Sequence, residues 1–264
     1  MTDQKLVLDA EPTLPEHSTT TRQPGERKLQ SARLVRSIFL SEQTKHLEFL
    51  IEGADCFPFT PGQFVSIQQL KPDSKTHTRA YSLASAPRAS ASFDLCLNRV
   101  EQGFLSNWLC DLEEGATVQF HGPHGMFTLR QPHQDSVFIA TGTGIAPFRG
   151  MVHWLFARPE RHLEREFWLV YGTRHEEGLY YGDEFRAIEE ANPNFHYLPT
   201  LSRGRDDWSG LRGYVQDHVR KIVGTRRDMQ AYICGLHQMV DANRMLLKEE
   251  LGWDRKQIVF ERYD

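Results

Sequence analysis

The run Ser136-Val137-Phe138-Ile139-Ala140-Thr141-Gly142-Thr143-Gly144-Ile145-Ala146-Pro147-Phe148 constrains this chain more than any other stretch. Its apolar start must be hidden in a strand or a buried helix, and the glycines after it favour a strand that ends in a turn. Gly142 and Gly144 let backbone come close to something bulky. Pro147 suits the first turn of a helix, where its missing N–H is not needed. Free N–H groups and a positive dipole end at such a turn suit a phosphate. The same turn serves purely structural ends as readily, so the rest of the chain has to decide between the two.

From Gln131-Pro132 onward the pattern alternates strand and helix. Strands are expected at 136–140, 166–171, 194–200, 229–234 and 257–260, with helices at 147–158, 182–190, 213–223 and 237–251. This alternation implies a parallel sheet with helices on both faces. Ligands of such sheets bind beyond the carboxyl ends of the strands. Segments 141–146, 172–174 and 201–203 and Gly235 all follow strands, so they are expected on one rim. The preceding part has a different texture. Strands fit 30–40, 44–51, 63–67, 78–83, 93–100 and 117–120, separated by Pro/Gly turns, and a helix fits 105–112. Short strands so spaced suggest an antiparallel barrel. The expected division is a flexible tail at 1–27, a barrel domain at 28–131 and an α/β domain at 132–264.

Composition narrows the function. A net charge of −4 argues against nucleic acid as a main partner. No apolar run approaches the roughly 20 residues of a membrane span, and the polar N-terminus is not a secretory signal. Cys56, Cys96, Cys110 and Cys234 form no CxxC pair, and the twelve histidines show no ligand spacing, so no metal site is expected. Free thiols suit a reducing cytoplasm.

Arg79-Ala80-Tyr81-Ser82 ends a strand. Arg79 could pair with a phosphate through its planar fork, Tyr81 offers a flat face and a hydroxyl, and Ser82 a small donor. In isolation, ordinary strand chemistry explains these residues better. The series continues with Cys96-Leu97-Asn98, Gly103-Phe104-Leu105-Ser106, Gly122-Pro123-His124-Gly125, Gly142-Thr143-Gly144-Ile145-Ala146-Pro147 and Cys234-Gly235. Together, from about Lys28 to the C-terminus, these resemble the ferredoxin–NADP⁺ reductase family. That family has a flavin-binding antiparallel barrel followed by a nicotinamide-binding α/β domain, in agreement with the reading above.

The resemblance implies roles residue by residue. Arg79 and Ala80 would lie on the FAD pyrophosphate, Tyr81 would stack on the flavin, and Ser82 would point at its N5. Cys96, Leu97 and Asn98 would line the adenosine through their backbone. Gly103, Phe104, Leu105 and Ser106 would hold the pyrophosphate at a helix start. Thr143, Gly144 and Pro147 belong to the nicotinamide cradle. Arg174, Arg203 and Arg212, with Ser202, match positions that hold the 2′-phosphate of NADP⁺, a dianion suited to guanidinium. Cys234 and Gly235 would lie beside nicotinamide C4. Tyr263 matches a terminal aromatic that covers the flavin, and Glu261 an acid that supports Ser82. Asp264 is an extra residue beyond the family's usual terminal aromatic.

The expected activity is hydride exchange between NADP(H) and FAD, with NADPH preferred though NADH is possible, and single-electron exchange with ferredoxin or flavodoxin. Lys28, Arg33, Arg36 and Arg88 are candidates for a basic docking patch, and the expected state is monomer or weak dimer. A W-x-G-x-x-G-Y pattern at 208–214 also resembles NADH-using oxygenase reductases, so an oxygenase reductase component, or a free-flavin or quinone reductase, is the alternative. A non-catalytic flavin-bearing regulatory subunit is a third reading, disfavoured by the joint presence of Ser82, Cys234 and Glu261.

Overall fold

A computed structural model describes residues 29–71 and 73–263. The expected tail at 1–27, Lys28 and Asp264 lie outside the described residues.

Strands β1 (Gln30–Ser41), β2 (Thr44–Ile51), β3 (Phe64–Leu70), β4 (Thr76–Ser82), β5 (Ser92–Asn98) and β6 (Thr117–His124) form one antiparallel sheet in the order β4-β3-β6-β1-β2-β5. The two ends of this order meet. Leu83 bridges Leu95, and the Ala84 N–H donates to the Asp94 carbonyl at 2.8 Å, which closes the sheet into a barrel. Closure removes the unpaired edges and leaves an interior for the alternate side chains. Phe49, Phe57, Phe93 and Phe120 fill it, with ring centroids 5.1–5.8 Å apart, the spacing at which aromatic pairs attract. Helix α1 (Phe104–Asp111) plugs one end through buried Leu105 and Leu109.

The remainder builds a six-stranded parallel sheet from β7 (Ser136–Thr141), β8 (Phe167–Thr173), β9 (Phe195–Leu201), β10 (Leu211–Arg212), β11 (Gln230–Leu236) and β12 (Ile258–Tyr263). Its order is β10-β9-β8-β7-β11-β12. Buried residues of β7 alternate between two cores. Phe138 and Ala140 face α2 (Ile145–Phe156) and α3 (Gly182–Ala191), while Val137 and Ile139 face α4 (Val215–Val223) and α5 (His237–Met245). Such period-two alternation under helices on both faces is the parallel-sheet arrangement expected from the sequence. The order reverses at β7, which lies between β8 and β11. A crevice opens where connections on either side of such a switch leave in opposite directions. The glycine-bearing run sits at that point.

The structure departs from the expected boundaries in three informative places. β12 runs to Tyr263 instead of stopping at 260, because its backbone pairs with β11 through Leu236 in spite of its charged side chains. β10, a two-residue edge strand, was not expected. The helix expected at 237–251 is α-helical only to Met245 and then widens into a π-helical turn at Leu246–Glu250, burying Leu246 and Leu247 together.

Candidate functional site

β7 ends in a 3₁₀ turn, Gly142–Gly144, that runs straight into α2. Its two glycines do different work. Gly142 has φ +54°, and a Cβ there would meet nothing within 4 Å. Gly144 has an ordinary helical φ of −61°, but a Cβ there would stand 2.3 Å from the Cys234 carbonyl oxygen. The turn is thus pressed onto the end of β11. The phenol of Tyr171, fully buried, lies 3.0 Å from the Gly142 carbonyl and 2.8 Å from the Gly178 carbonyl and shares its one proton between them, tying two rim loops together. Tyr171 was missed as a site residue because a tyrosine in a buried strand reads simply as core.

Beyond the strand ends lies a cavity of about 760 Å³. Its lining includes Thr141, Gly142, Arg174, His175, Glu177, Ser202, Arg203 and Tyr214, and, from the barrel, Asn98. Arg174, Ser202 and Arg203 therefore meet, as expected. They are joined because the Ser202 and Arg203 N–H groups donate to the carbonyls of Thr173 and Arg174. Arg212 is placed differently. Its guanidinium donates to the carbonyls of Gly204, Arg205, Asp206 and Trp208 at 2.7–3.2 Å and does not line the cavity. It staples the 204–208 loop instead. Thr143, Gly144 and Pro147 are likewise not on the lining: Gly144 and Pro147 are buried behind the rim, and Thr141 and Gly142 take the cavity-facing place.

The residues expected to be catalytic converge where the two sheets meet. Ser82, almost fully buried at the end of β4, donates its hydroxyl to Glu261 Oε1 of β12 at 2.8 Å. Parallel register sets Cys234 of β11 opposite Glu261. Tyr263 packs into the core cluster that contains Cys234. Burial pushes the Glu261 carboxyl up, against the opposing Ser82 hydrogen bond. Burial also pushes the Cys234 thiol and the Tyr263 phenol well above their ordinary values, with Glu261 adding to both. Cys234 is therefore a neutral thiol and not a nucleophilic thiolate.

On the barrel side, Tyr81 packs against the barrel core, and its buried hydroxyl has no hydrogen-bond partner. Burial drives that phenol up to about 12, Arg79 offsetting part of the rise. Arg79 lies two residues earlier and so on the same face of the strand. The Phe104 ring, opening α1, meets His77 at 5.7 Å and lies under the Lys71 ammonium at 5.3 Å. Gly103 caps α1 without any side-chain hydrogen bond, which leaves first-turn N–H groups for an external acceptor, while Ser106 accepts from the Val100 N–H. Leu97 and Leu105 are core side chains, so only their backbone can reach a ligand. Cys96 points into the contact between barrel and α/β half, beside Ala84 and Ala146.

Sequence comparison matches residues 31–129 to the oxidoreductase FAD-binding domain and residues 138–245 to the oxidoreductase NAD-binding domain. Over 242 residues the chain is 43% identical to ferredoxin–NADP reductase B of Sorangium cellulosum, covering 88% of this chain and 97% of that protein. The chain belongs to the ferredoxin–NADP reductase family. It is also 30% identical to the anthranilate 1,2-dioxygenase electron transfer component of Acinetobacter baylyi, over 80% of this chain but only 57% of that longer protein. Among solved structures, a ferredoxin–NADP⁺ reductase from Neisseria gonorrhoeae with bound FAD and NADP shares the fold, with a TM-score of 0.77 at 21% identity over 90% of this chain and 99% of that one. Membership accounts for the paired architecture: a barrel with an orphaned phenol and an uncapped helix start, set against a nucleotide-sized cavity at a switch point.

Proposed function

We propose that this ferredoxin–NADP reductase family member is an FAD-dependent enzyme that exchanges electrons between NADP(H) and a ferredoxin or flavodoxin. The observation that carries the reading is the Ser82–Glu261 hydrogen bond, which joins β4 to β12 beside the switch-point cavity. The flavin and nucleotide domains are taken as 28–131 and 132–264.

The residues fit a flavin dinucleotide. The unpartnered Tyr81 hydroxyl and the Arg79 guanidinium offer a donor and a charge to phosphate or ribityl oxygen, and the free N–H groups of α1 offer more. Bound FAD supplies the conversion between two-electron exchange with nicotinamide and one-electron exchange with a protein carrier. The chain supplies orientation and proton management. Ser82 Oγ, having donated to Glu261, keeps lone pairs for a group in front of it. Glu261, raised by burial, holds a proton on its carboxyl more tightly than an exposed acid does. Tyr263 covers Cys234 and excludes water from the junction. It has to yield when nicotinamide enters, and Cys234 then offers a small neutral wall. Arg174 and Arg203, with Ser202, receive the 2′-phosphate that distinguishes NADPH from NADH.

The deciding experiment purifies the protein, identifies the extracted flavin, and titrates NADPH and NADH while following the flavin absorbance. Tighter binding and faster bleaching with NADPH, and cytochrome c reduction that depends on added ferredoxin, are expected. Equal or better kcat/KM with NADH, and no response to ferredoxin, would move the assignment to an oxygenase reductase component. The Trp208–Tyr214 pattern and the dioxygenase relative favour that second reading. The four cysteines are free, which suits a reducing cytoplasm.

A further inference from the structure

Between barrel and α/β half lies a charged cluster that none of the expected roles uses. Arg149, on α2 one turn beyond the glycine turn, spends four of its five donors there. Nε and Nη2 grip both oxygens of Glu184 on α3, at 2.7 and 3.1 Å. Nη1 crosses to the barrel and donates to the Ala84 carbonyl at 2.9 Å and to Asp94 Oδ2 at 3.1 Å. The guanidinium also sits 4.6 Å from the centre of the Tyr181 ring, within cation–π range. The Tyr181 hydroxyl in turn pairs with His46 Nδ1 at 2.9 Å, and the neighbouring Tyr180 hydroxyl with Thr44 at 2.6 Å. Tyr181 holds φ +60°, a left-handed conformation costly for a tyrosine, so the turn is shaped for this contact.

The barrel side is equally committed. Asp94 is 1% exposed and also takes both arms of Arg88, at 2.6 and 2.7 Å, so Arg88 is no free docking charge. Burial opposes the ionised forms of Asp94 and Glu184, but their partners outweigh it: Asp94 is lowered, and Glu184 falls to about 2. Both are anions in the assembled protein. Close backbone contact reinforces the clasp, since a Cβ on Gly150 would lie 2.5 Å from the Ser85 carbonyl oxygen.

The position matters more than the strength. Ala84 lies two residues after Ser82, and Arg149 lies five after Gly144. One attachment, Ser82 to Glu261, reaches the α/β half through β12. A second, Arg149 to Ala84 and Asp94, reaches it through α2. β12, β11 and β7 connect the two through the sheet, so the reacting residues sit within a closed ring of contacts. Two attachments leave a hinge about the line that joins them, and the Tyr180–Thr44 and Tyr181–His46 hydrogen bonds beside Arg149 supply the further contact that fixes an orientation.

We propose that Arg149 is a positioning residue for nicotinamide–flavin electron exchange, locking the α/β half onto the barrel so that the Thr141–Gly142 rim faces Ser82. Arg149 does not line the switch-point cavity, and its guanidinium is spent on Glu184, Ala84 and Asp94, so its loss is expected to act on alignment and to leave nucleotide binding alone. Misplacement of reacting groups by about 1 Å costs on the order of 10²-fold in rate.

This inference rests on the proposed function, so reduction of the wild-type FAD enzyme by NADPH is the control. In anaerobic stopped flow, FAD-loaded Arg149→Met should show a limiting flavin-reduction rate lower by roughly 10²-fold, with unchanged flavin content and unchanged NADP⁺ dissociation constant. Arg149→Lys should not rescue it, because an ammonium cannot span Glu184, Ala84 and Asp94 at once. Glu184→Gln, which keeps Arg149 on the barrel, should lose less. A wild-type rate in Arg149→Met, full rescue by lysine, or equal losses of rate and NADP⁺ binding would each overturn the proposal. If Arg149→Met does not retain FAD, Glu184→Gln decides by the same split between rate and binding. Hydrogen–deuterium exchange reads the clasp without turnover. Residues 84–94 and 145–156 should exchange faster in Arg149→Met, and unchanged exchange there overturns the lock even if the proposed activity itself proves wrong.

Discussion

Placing alanine at each glycine of the Gly142–Gly144 turn separates two physical effects within one loop. At Gly144 the backbone is already helical, so alanine brings no conformational penalty. Its methyl would, however, lie 2.3 Å from the Cys234 carbonyl oxygen and 2.6 Å from the Cys234 carbonyl carbon and Gly235 Cα, where ordinary contact begins at 3.4 Å. Turn and β11 must therefore part by about 1.1 Å, and no flexible side chain is there to yield instead. Overpacking of this kind costs about 1–3 kcal/mol of stability. At 2–4 °C per kcal/mol for a chain of this size, the melting point falls by roughly 2–12 °C. The functional loss is larger, because β11 carries Cys234 and sets the register of Glu261 against Ser82. A displacement near 1 Å should lower the limiting rate of flavin reduction by about 10²-fold. Gly142→Ala is the matched control. It forces a left-handed alanine at about 1–2 kcal/mol, but its methyl meets no protein atom, so β11 stays in place and any functional effect falls on nucleotide affinity at the cavity that Gly142 lines, not on the limiting rate. The pair is compared by differential scanning calorimetry and anaerobic stopped flow. Similar melting points with a rate loss confined to Gly144→Ala are expected. Equal limiting rates in the two variants would refute the steric reasoning.

Other expectations follow from the site. Arg174→Leu and Arg203→Leu should each weaken NADPH binding by about 10–100-fold, the worth of one charge-assisted interaction, and leave NADH untouched. Arg212→Leu should leave the NADPH/NADH ratio unchanged and lower the melting point slightly, because its donors serve loop carbonyls; a collapse of NADPH preference would restore it to the phosphate site. Ser82→Ala should make stability more pH-dependent. Burial holds the folded Glu261 carboxyl above the usual 4.5, so stability declines as pH rises from there through the folded value, and Ser82 moderates that decline. Removing the hydroxyl should cost about 1 kcal/mol or more at neutral pH and little in acid, read by urea unfolding with saturating FAD. A pH-independent cost would show that Glu261 is not the group involved.

Local pattern carried a large part of this protein. Alternation in residues 44–51 predicted β2 at its observed bounds, because one face of that strand is apolar and period two is written directly in the residues. The strand–helix rhythm after Pro132 announced a parallel sheet, and the glycine run marked its switch point, because only certain residues tolerate a tight turn beneath a ligand. The motif residues Ser82, Cys234, Glu261 and Tyr263 were legible one at a time, each as a side chain with a role in mind. What the sequence could not contain was direction and partnership. Arg174, Arg203 and Arg212 look alike on paper, yet the path of the 204–208 loop wraps four carbonyls around the last and leaves the other two at the cavity. Glu261 is set beside Ser82 by resemblance alone, and the pairing of β12 with β11 is what carries it there as a strand residue. The clasp around Arg149 left no local trace at all, since Ala84, Asp94, Tyr181 and Glu184 are spread over a hundred residues and follow no period. Periodicity and turn chemistry are properties of neighbours in the chain; a guanidinium's choice among distant acceptors is settled only when tertiary packing decides which of them water can no longer reach.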